Sequence, residues 1–272
     1  MKNILFTFSI AALIALSGCN SDSSTDTTTE VAQTPEAVTF SYSGETGPDN
    51  WYKLSDDWKT CENGLTLKPV EAGTKHQSPV DLYSSAISPQ DFTLDYDKDL
   101  EFKLINNGHT IEMVEESPEK DSFIIIDGKK YKLLQFHFHA HSEHEEETNP
   151  ADMEMHFVHQ AEDGSYAVLG IFIDAADTSN TGLAKVFTDK LPAEEVEETD
   201  AKTYSINVSE ILPEDHTTAN VYRYNGSFTT PPCTEGVDWN IFEEHIKLDT
   251  NKVDEFKTLY PNNYRPITGD FK

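Results

Sequence analysis

From about residue 37 onward the chain is made of short runs in which apolar residues alternate with polar ones or cluster briefly, each run ended by Gly, Pro, Asn or Asp. FTLDYD (92–97), LEFKLINNGHTIEMV (100–114), SFIIIDGKKYKLLQFHFHA (122–140), MEMHFVHQ (153–160), YAVLGIFID (166–174) and TYSINVSEIL (203–212) all have this form. Such runs predict β-strands, whose side chains point to opposite faces in turn. Asp127-Gly128 between two of them signals a tight hairpin. Helical spacing is confined to two short segments, 180–190 and 251–259. There is no internal repeat and no second linker, so residues 37–272 read as one β-dominated domain.

The first residues break the pattern. A single Lys2 precedes an apolar run from Ile4 to Leu16 and small residues ending in Cys19, the build of an export signal and too short for a comfortable membrane span. Leu16-Ser17-Gly18-Cys19 resembles the bacterial lipobox, which implies cleavage after residue 18 and a lipid on Cys19. An ordinary cleaved signal with a chance cysteine is the alternative. Residues 1–18 are thus expected to be a lipoprotein-type signal peptide. Residues 19–36, rich in Ser, Thr and Asp, are expected to be a tether too poor in apolar side chains to order itself. The expected location is exported, periplasmic or cell-surface, held to a bacterial membrane through Cys19.

Lipidation of Cys19 leaves Cys61 and Cys233 as an even pair in an oxidising setting. A disulfide is expected between them, with two free buried thiols as the alternative. The charge balance is lopsided: 49 acidic against 20 basic residues, a formal net charge of −29. Such a surface repels nucleic acid and anionic head groups, so neither is an expected partner beyond the anchor itself. It suits a saline habitat, although plain solubility explains it equally well.

The chemistry concentrates in LLQFHFHAHSEH (133–144) and EMHFVHQ (154–160). Alternation puts His137 and His139 on one face of a strand and Phe136 and Phe138 on the other, so one face is chemical and the other core. In the second run Glu154, His156 and Val158 share a face, opposite Met155, Phe157 and His159. If the two strands are neighbours, His137, His139 and His156 converge. Three neutral imidazoles with an open fourth position are the ligand set of a catalytic zinc, whereas structural zinc sites close all four positions with protein. A His-x-His pair by itself is more often an ordinary strand feature, and spacing alone does not make the strands adjacent. His159 falls on the wrong face. His141 and His144 lie in the acidic run HSEHEEETNP, which reads as a solvated loop. Gln135 and Glu154 each stand two residues before a ligand and on its face, placed to orient His137 and His156. Either alone is also plain polar lining.

These segments resemble the α-class carbonic anhydrases. QFHFHAHSEH is similar to that family's strand with the first two zinc ligands, EMHFVH to the strand with the third, and SFTTPPCTEGVDW to its active-site loop. HQSPVDL, NNGHT, AVLGIF and NNYRPI are similar to its other markers, in the family's order over about residues 40–268. The resemblance implies a mainly β (α+β) single domain, with a large, mostly antiparallel twisted sheet of about ten strands and short peripheral helices. It implies zinc-dependent, reversible hydration of carbon dioxide to bicarbonate and a proton, with zinc as the cofactor and carbon dioxide or bicarbonate as the small-molecule partner.

Roles follow by position. Thr229 would accept a hydrogen bond from zinc hydroxide and donate its own proton to Glu143, and Thr230 would line the same pocket. Val158, Val168 and Trp239 match the apolar wall for carbon dioxide, and Phe228 a bulky neighbour at the mouth. His109 corresponds to the proton shuttle, a task suited to an imidazole that titrates near neutral pH. Tyr42 and Asn106 match residues of the water network or active-site floor, Arg265 a structural one, and Asn263 a position whose backbone carbonyl orients His139. Bacterial members pair cysteines at the positions of Cys61 and Cys233, bracing the Thr229 loop. One departure is Glu112, an added charge three residues after the shuttle. Another is the very acidic HEEE run, 144–147. A non-enzymatic zinc-binding or surface-interaction module on the same fold is the reading from another class. Oligomeric state is left open, a dimer being one possibility.

Overall fold

The alternating runs do become strands, and pairing order decides which of them meet. The structure, a computed structural model, describes residues 38–71, 73–117, 119–196 and 198–272. The expected signal peptide, the tether and Cys19 lie outside the described residues. Among the described residues no helix is long and apolar enough to cross a membrane.

The main sheet has twelve strands where about ten were expected. In chain order they are β1 (Ile87–Pro89), β2 (Phe92–Asp95), β3 (Leu100–Asn106), β4 (Ile111–Glu115), β5 (Phe123–Ile126), β6 (Lys129–His139), β7 (Met153–Gln160), β8 (Tyr166–Ala176), β9 (Lys202–Ile206), β10 (Asn220–Ser227), β11 (Glu235–Phe242) and β12 (Ile246–Asp249). Their order is β9-β3-β4-β6-β7-β8-β11-β10-β1, with β5 pairing β6 and β2, and β12 pairing β8. Pairings are antiparallel except for β8 with β11 and with β12. Asp127 and Gly128 both have positive φ (51° and 78°), as the two-residue hairpin between β5 and β6 requires. A second, small sheet joins strands of two or three residues, among them Glu145–Glu146 and Gly269–Phe271.

Three α-helices lie among the described residues: α1 (Trp51–Leu54), α2 (Thr181–Val186) and α3 (Thr250–Leu259). Alternation-based reading missed α1, and α2 is shorter than the 180–190 expected. Asn180 starts α2 by accepting from the Leu183 N–H (3.0 Å), and Asp249 starts α3 by accepting from the Asn251 N–H (2.9 Å). Val253 and Phe256, three positions apart, are the residues α3 buries.

Core and chemistry divide by face. Phe136, Phe138, Met155, Phe157, Leu169 and Ile171 belong to one cluster of fully buried side chains, to which each contributes roughly 1.5–3 kcal/mol. Val158, Val168 and Trp239 belong to a second cluster. The faces are kept in phase by a β-bulge. Val158 pairs with Gln135 but His159 pairs with Leu133, leaving Leu134 without a partner on β7. The extra residue switches the side chains of β6 over, so Leu133 and Phe136 both enter the core although their numbers differ in parity.

Candidate metal centre

Register brings the imidazoles together. β6 and β7 are antiparallel neighbours in which His156 stands directly across from His137, and Glu154 from His139. The three rings lie 4.7–5.2 Å apart, centroid to centroid. One nitrogen from each falls within 4.8 Å of the other two.

The outer nitrogens are tied down. His137 Nδ1 donates to Gln135 Oε1 (2.8 Å), His139 Nδ1 to the Asn263 carbonyl (2.6 Å), and His156 Nε2 to Glu154 Oε1 (2.8 Å). These bonds fix the tautomers, so Nε2 of His137 and His139 and Nδ1 of His156 keep their lone pairs. Buried His139 Nε2 has no hydrogen-bond partner. Burial, and then proximity to His139 and His156, pushes the His137 imidazole well below its ordinary pKa. Burial likewise lowers His139. Neutral imidazole is the form that ligates, so the donor set fits zinc, with His137, His139 and His156 as its holders.

Glu154 is the hub behind this arrangement. It is fully buried and accepts four hydrogen bonds: from the main-chain N–H groups of Glu143 and His144 (both 2.8 Å), from His144 Nδ1 (2.7 Å) and from His156 Nε2. Burial alone would raise its carboxyl, but His144 and His156 hold it well below the usual carboxylate range. One expectation is corrected here: His144 is not in a solvated loop but fully buried. The reason is Glu154, which draws the 143–144 backbone inward by those two bonds. His144 Nε2 in turn accepts from the Tyr224 hydroxyl (2.7 Å), which accepts from Ser78 Oγ (2.7 Å). The metal-capable atoms of His144, Glu154 and His156 are thus bonded to one another and form a network, not a second centre. Sequence reasoning missed it, although a buried carboxylate with four acceptor positions calls for more than one donor. His141, by contrast, is exposed.

Glu143 is buried too. Its Oε1 accepts from the Arg265 main-chain N–H (2.8 Å), while Oε2 lies 3.4 Å from His139 Nε2 and 4.0 Å from His156 Nδ1, without a hydrogen bond of its own. Thr229 is buried, and among the described residues no hydrogen bond joins it to Glu143. Its loop is braced from several sides. Cys233 is disulfide-bonded to Cys61, Gln77 Nε2 donates to the Cys233 carbonyl (3.1 Å), and the Cys233 N–H donates to the Thr230 carbonyl (2.8 Å). Arg265 has a structural place, donating to Gln77 Oε1 and to the carbonyls of Ser78 and Cys61.

The apolar wall is a row across three strands. Val158 pairs with Val168 and Val168 with Trp239, which puts the three side chains at one level of one face. The Trp239 ring lies 4.8 Å from His156, so the wall abuts the imidazoles. Phe228 packs edge-on against Tyr166 at its border (4.8 Å).

His109 sits on the turn between β3 and β4, half-buried and stacked on Phe40 with ring centroids 4.0 Å apart. Burial lowers its pKa, and the charge of Glu195 opposes that. Asn107 Oδ1 caps the turn, accepting from the N–H groups of His109 (3.0 Å) and Thr110 (2.9 Å), and its Nδ2 donates to Glu112 Oε2 (2.8 Å). Burial raises the Glu112 carboxyl. Asn106 is buried with its amide turned into the protein scaffold. Tyr42 packs edge-on against Phe40 and Trp51, and burial together with the charge of Glu143 raises its phenol.

Comparison with known proteins gives one answer. A family model for eukaryotic-type carbonic anhydrase matches residues 47–271. A carbonic anhydrase of Nostoc sp. is 32% identical over 232 residues, covering 85% of this chain and 83% of that protein. One from Pectobacterium atrosepticum is 32% identical over 262 residues, covering 96% and 94%. Among solved structures, the α-carbonic anhydrase of Thermovibrio ammonificans, in complex with the inhibitor sulfanilamide, aligns with a TM-score of 0.71 at 32% identity, over 85% of this chain and 96% of that one.

Proposed function

Because the chain belongs to the α-class carbonic anhydrase family, we propose that it hydrates carbon dioxide reversibly to bicarbonate and a proton at the His137–His139–His156 centre. The observation that carries this is the convergence of three oriented imidazoles beside an apolar wall. A zinc ion held there would supply a nucleophile at neutral pH by lowering the pKa of a water to about 7, a known property of this family.

The residues divide the remaining work. Val158, Val168 and Trp239 offer a nonpolar substrate a dry surface. Gln135, Glu154 and the Asn263 carbonyl keep each ring in the ligating tautomer. Glu143, anchored by the Arg265 N–H, turns its free Oε2 toward the centre, where it can accept a hydrogen bond from the Thr229 hydroxyl and so align the nucleophile. His109 takes the proton released by hydration and passes it to buffer. Thr230 and Phe228 border the same space. Residues 1–18 act as an export signal, and Cys19 carries a lipid that holds the enzyme at the periplasmic or cell surface.

Metal analysis coupled to a carbon dioxide hydration assay tests the proposal. One zinc per chain is expected, with activity lost on chelation and restored by zinc. Absence of activity despite one bound zinc per chain would favour the binding-module reading instead. Mass spectrometry of the mature N-terminus tests the anchor: a chain beginning at an unmodified Cys19, or at another residue, would exclude it.

A further inference from the structure

The loop that carries His109 is clamped to a segment with no assigned role. Asn106 Nδ2 donates to the Pro192 carbonyl (2.8 Å), and the Val196 N–H donates to the Asn106 carbonyl (2.9 Å). Asn106 Oδ1 accepts from the Gly108 N–H (3.0 Å) and from the Tyr260 hydroxyl. Since Asn106 is buried, water does not compete for these bonds, and the 106–110 turn and the 192–196 segment are held as one piece.

The clamp forces Glu195 over the turn. A Cβ built on Gly108 would lie 2.7 Å from Glu195 Oε1, so the carboxylate rests against the backbone one residue from His109. Gly108 suits the turn through its left-handed φ of 81°. The imidazole of His109 is fixed against Phe40, its carbonyl accepts from Asn263 Nδ2 (3.1 Å), and its ring nitrogens bond no described residue.

The titratable groups around it are Glu195 from the clamped segment, Glu112 beyond Asn107, Tyr260 after α3, and Tyr42 behind Phe40. Of these, Glu195 is the charge that acts on the imidazole. Burial disfavours imidazolium, and a nearby anion opposes that and helps a shuttle in this position to accept protons. The chain is rich in carboxylates; this one is exposed, but it stands on a segment whose backbone is clamped to the His109 turn.

We propose that Glu195 is a positioning residue for proton release, the electrostatic partner that stabilises protonated His109 and so sets how fast protons leave the site. The inference rests on the shuttle role proposed for His109.

Glu195→Gln keeps the shape and removes the charge. In the full chain, with and without zinc, NMR titration of the His109 ring, assigned by His109→Ala, is expected to show roughly a threefold loss of proton affinity. Glu195→Lys moves it further the same way, and Glu195→Asp restores part of it. In dilute buffer kcat falls by a similar factor while kcat/KM, which reports the hydration steps, holds. A His109 titration in Glu195→Gln indistinguishable from the parent, alongside a normal loss of dilute-buffer turnover in His109→Ala, overturns this inference alone. Unchanged dilute-buffer turnover in His109→Ala overturns the shuttle reading and this inference with it.

Discussion

Replacing Glu154 with alanine takes away a single carboxylate that four donors share, two of them main-chain N–H groups and two imidazoles. The imidazoles can turn toward other acceptors, but the N–H groups of Glu143 and His144 are fixed by the chain and buried. Leaving each unsatisfied costs about 1–3 kcal/mol, and breaking a buried charged network typically costs about 3–5 kcal/mol in total. We expect Glu154→Ala to lose about 3–5 kcal/mol, a large share of a typical stability of about 5–15 kcal/mol. Glu154→Gln should lose less, because its amide oxygen serves one pair of donors while its NH2 faces the other. His156 then loses its fixed tautomer, and zinc affinity falls about 10- to 100-fold. Urea unfolding of the metal-free chain reads the first quantity, and competition with a chromophoric chelator reads the second. A Glu154→Ala chain within about 1 kcal/mol of the parent, holding zinc equally well, would refute the assignment of Glu154 as the hub.

The other predictions concern the disulfide and two histidines outside the centre. Cys61→Ser with Cys233→Ser opens a link between residues 172 apart and should cost about 2–5 kcal/mol by thermal unfolding, with the Thr229 loop the first part to lose amide-exchange protection. His159, buried on the core face with Nε2 accepting from the Tyr96 hydroxyl (2.7 Å), is pushed down to about 3 by burial. Its folded pKa is depressed, so its contribution is full above pH 6.5 and is lost as pH falls toward 3. The span amounts to about 5 kcal/mol at most, and His159→Gln should flatten that acid limb in urea titrations. His245 is held between Glu146 (2.7 Å) and Asp174 (3.0 Å), which outweigh its burial and raise it to about 9. Its contribution is full below pH 6.5 and lost as pH rises through 9. The stability gap between the parent and His245→Gln should therefore close in alkali, and a pH-independent gap would exclude the ion triad.

Much of the centre was readable because strand alternation is a local signal. MEMHFVHQ folds as the strand it predicts, and its period alone separates His156 from His159. Adjacency of the two ligand strands was not readable, since register depends on pairing far along the chain. β10, β11 and β12 went unseen for a related reason. In β11 the alternation VDWNI is present but only five residues long, and its polar positions are joined across the sheet, where Arg223 on β10 donates to Asp238 and Asn240 bonds back to it. Glu143 and His144 look solvated in HSEHEEE because nothing nearby in sequence announces the carboxylate at 154 that buries them. Glu195 is hidden in the same way within an acidic run, and the bonds of Asn106 to Pro192 and Val196 are what bring its segment to the His109 turn.

The ligand-bearing strands have their reverse side sealed by Phe136, Phe138, Met155 and Phe157, none of which touches solvent. The positions of the three imidazoles are therefore set from behind by packing as well as from beside by the bonds to Gln135, Glu154 and the Asn263 carbonyl. A cavity opened in that aromatic layer, as by Phe136→Ala, would loosen the rings without touching one of them.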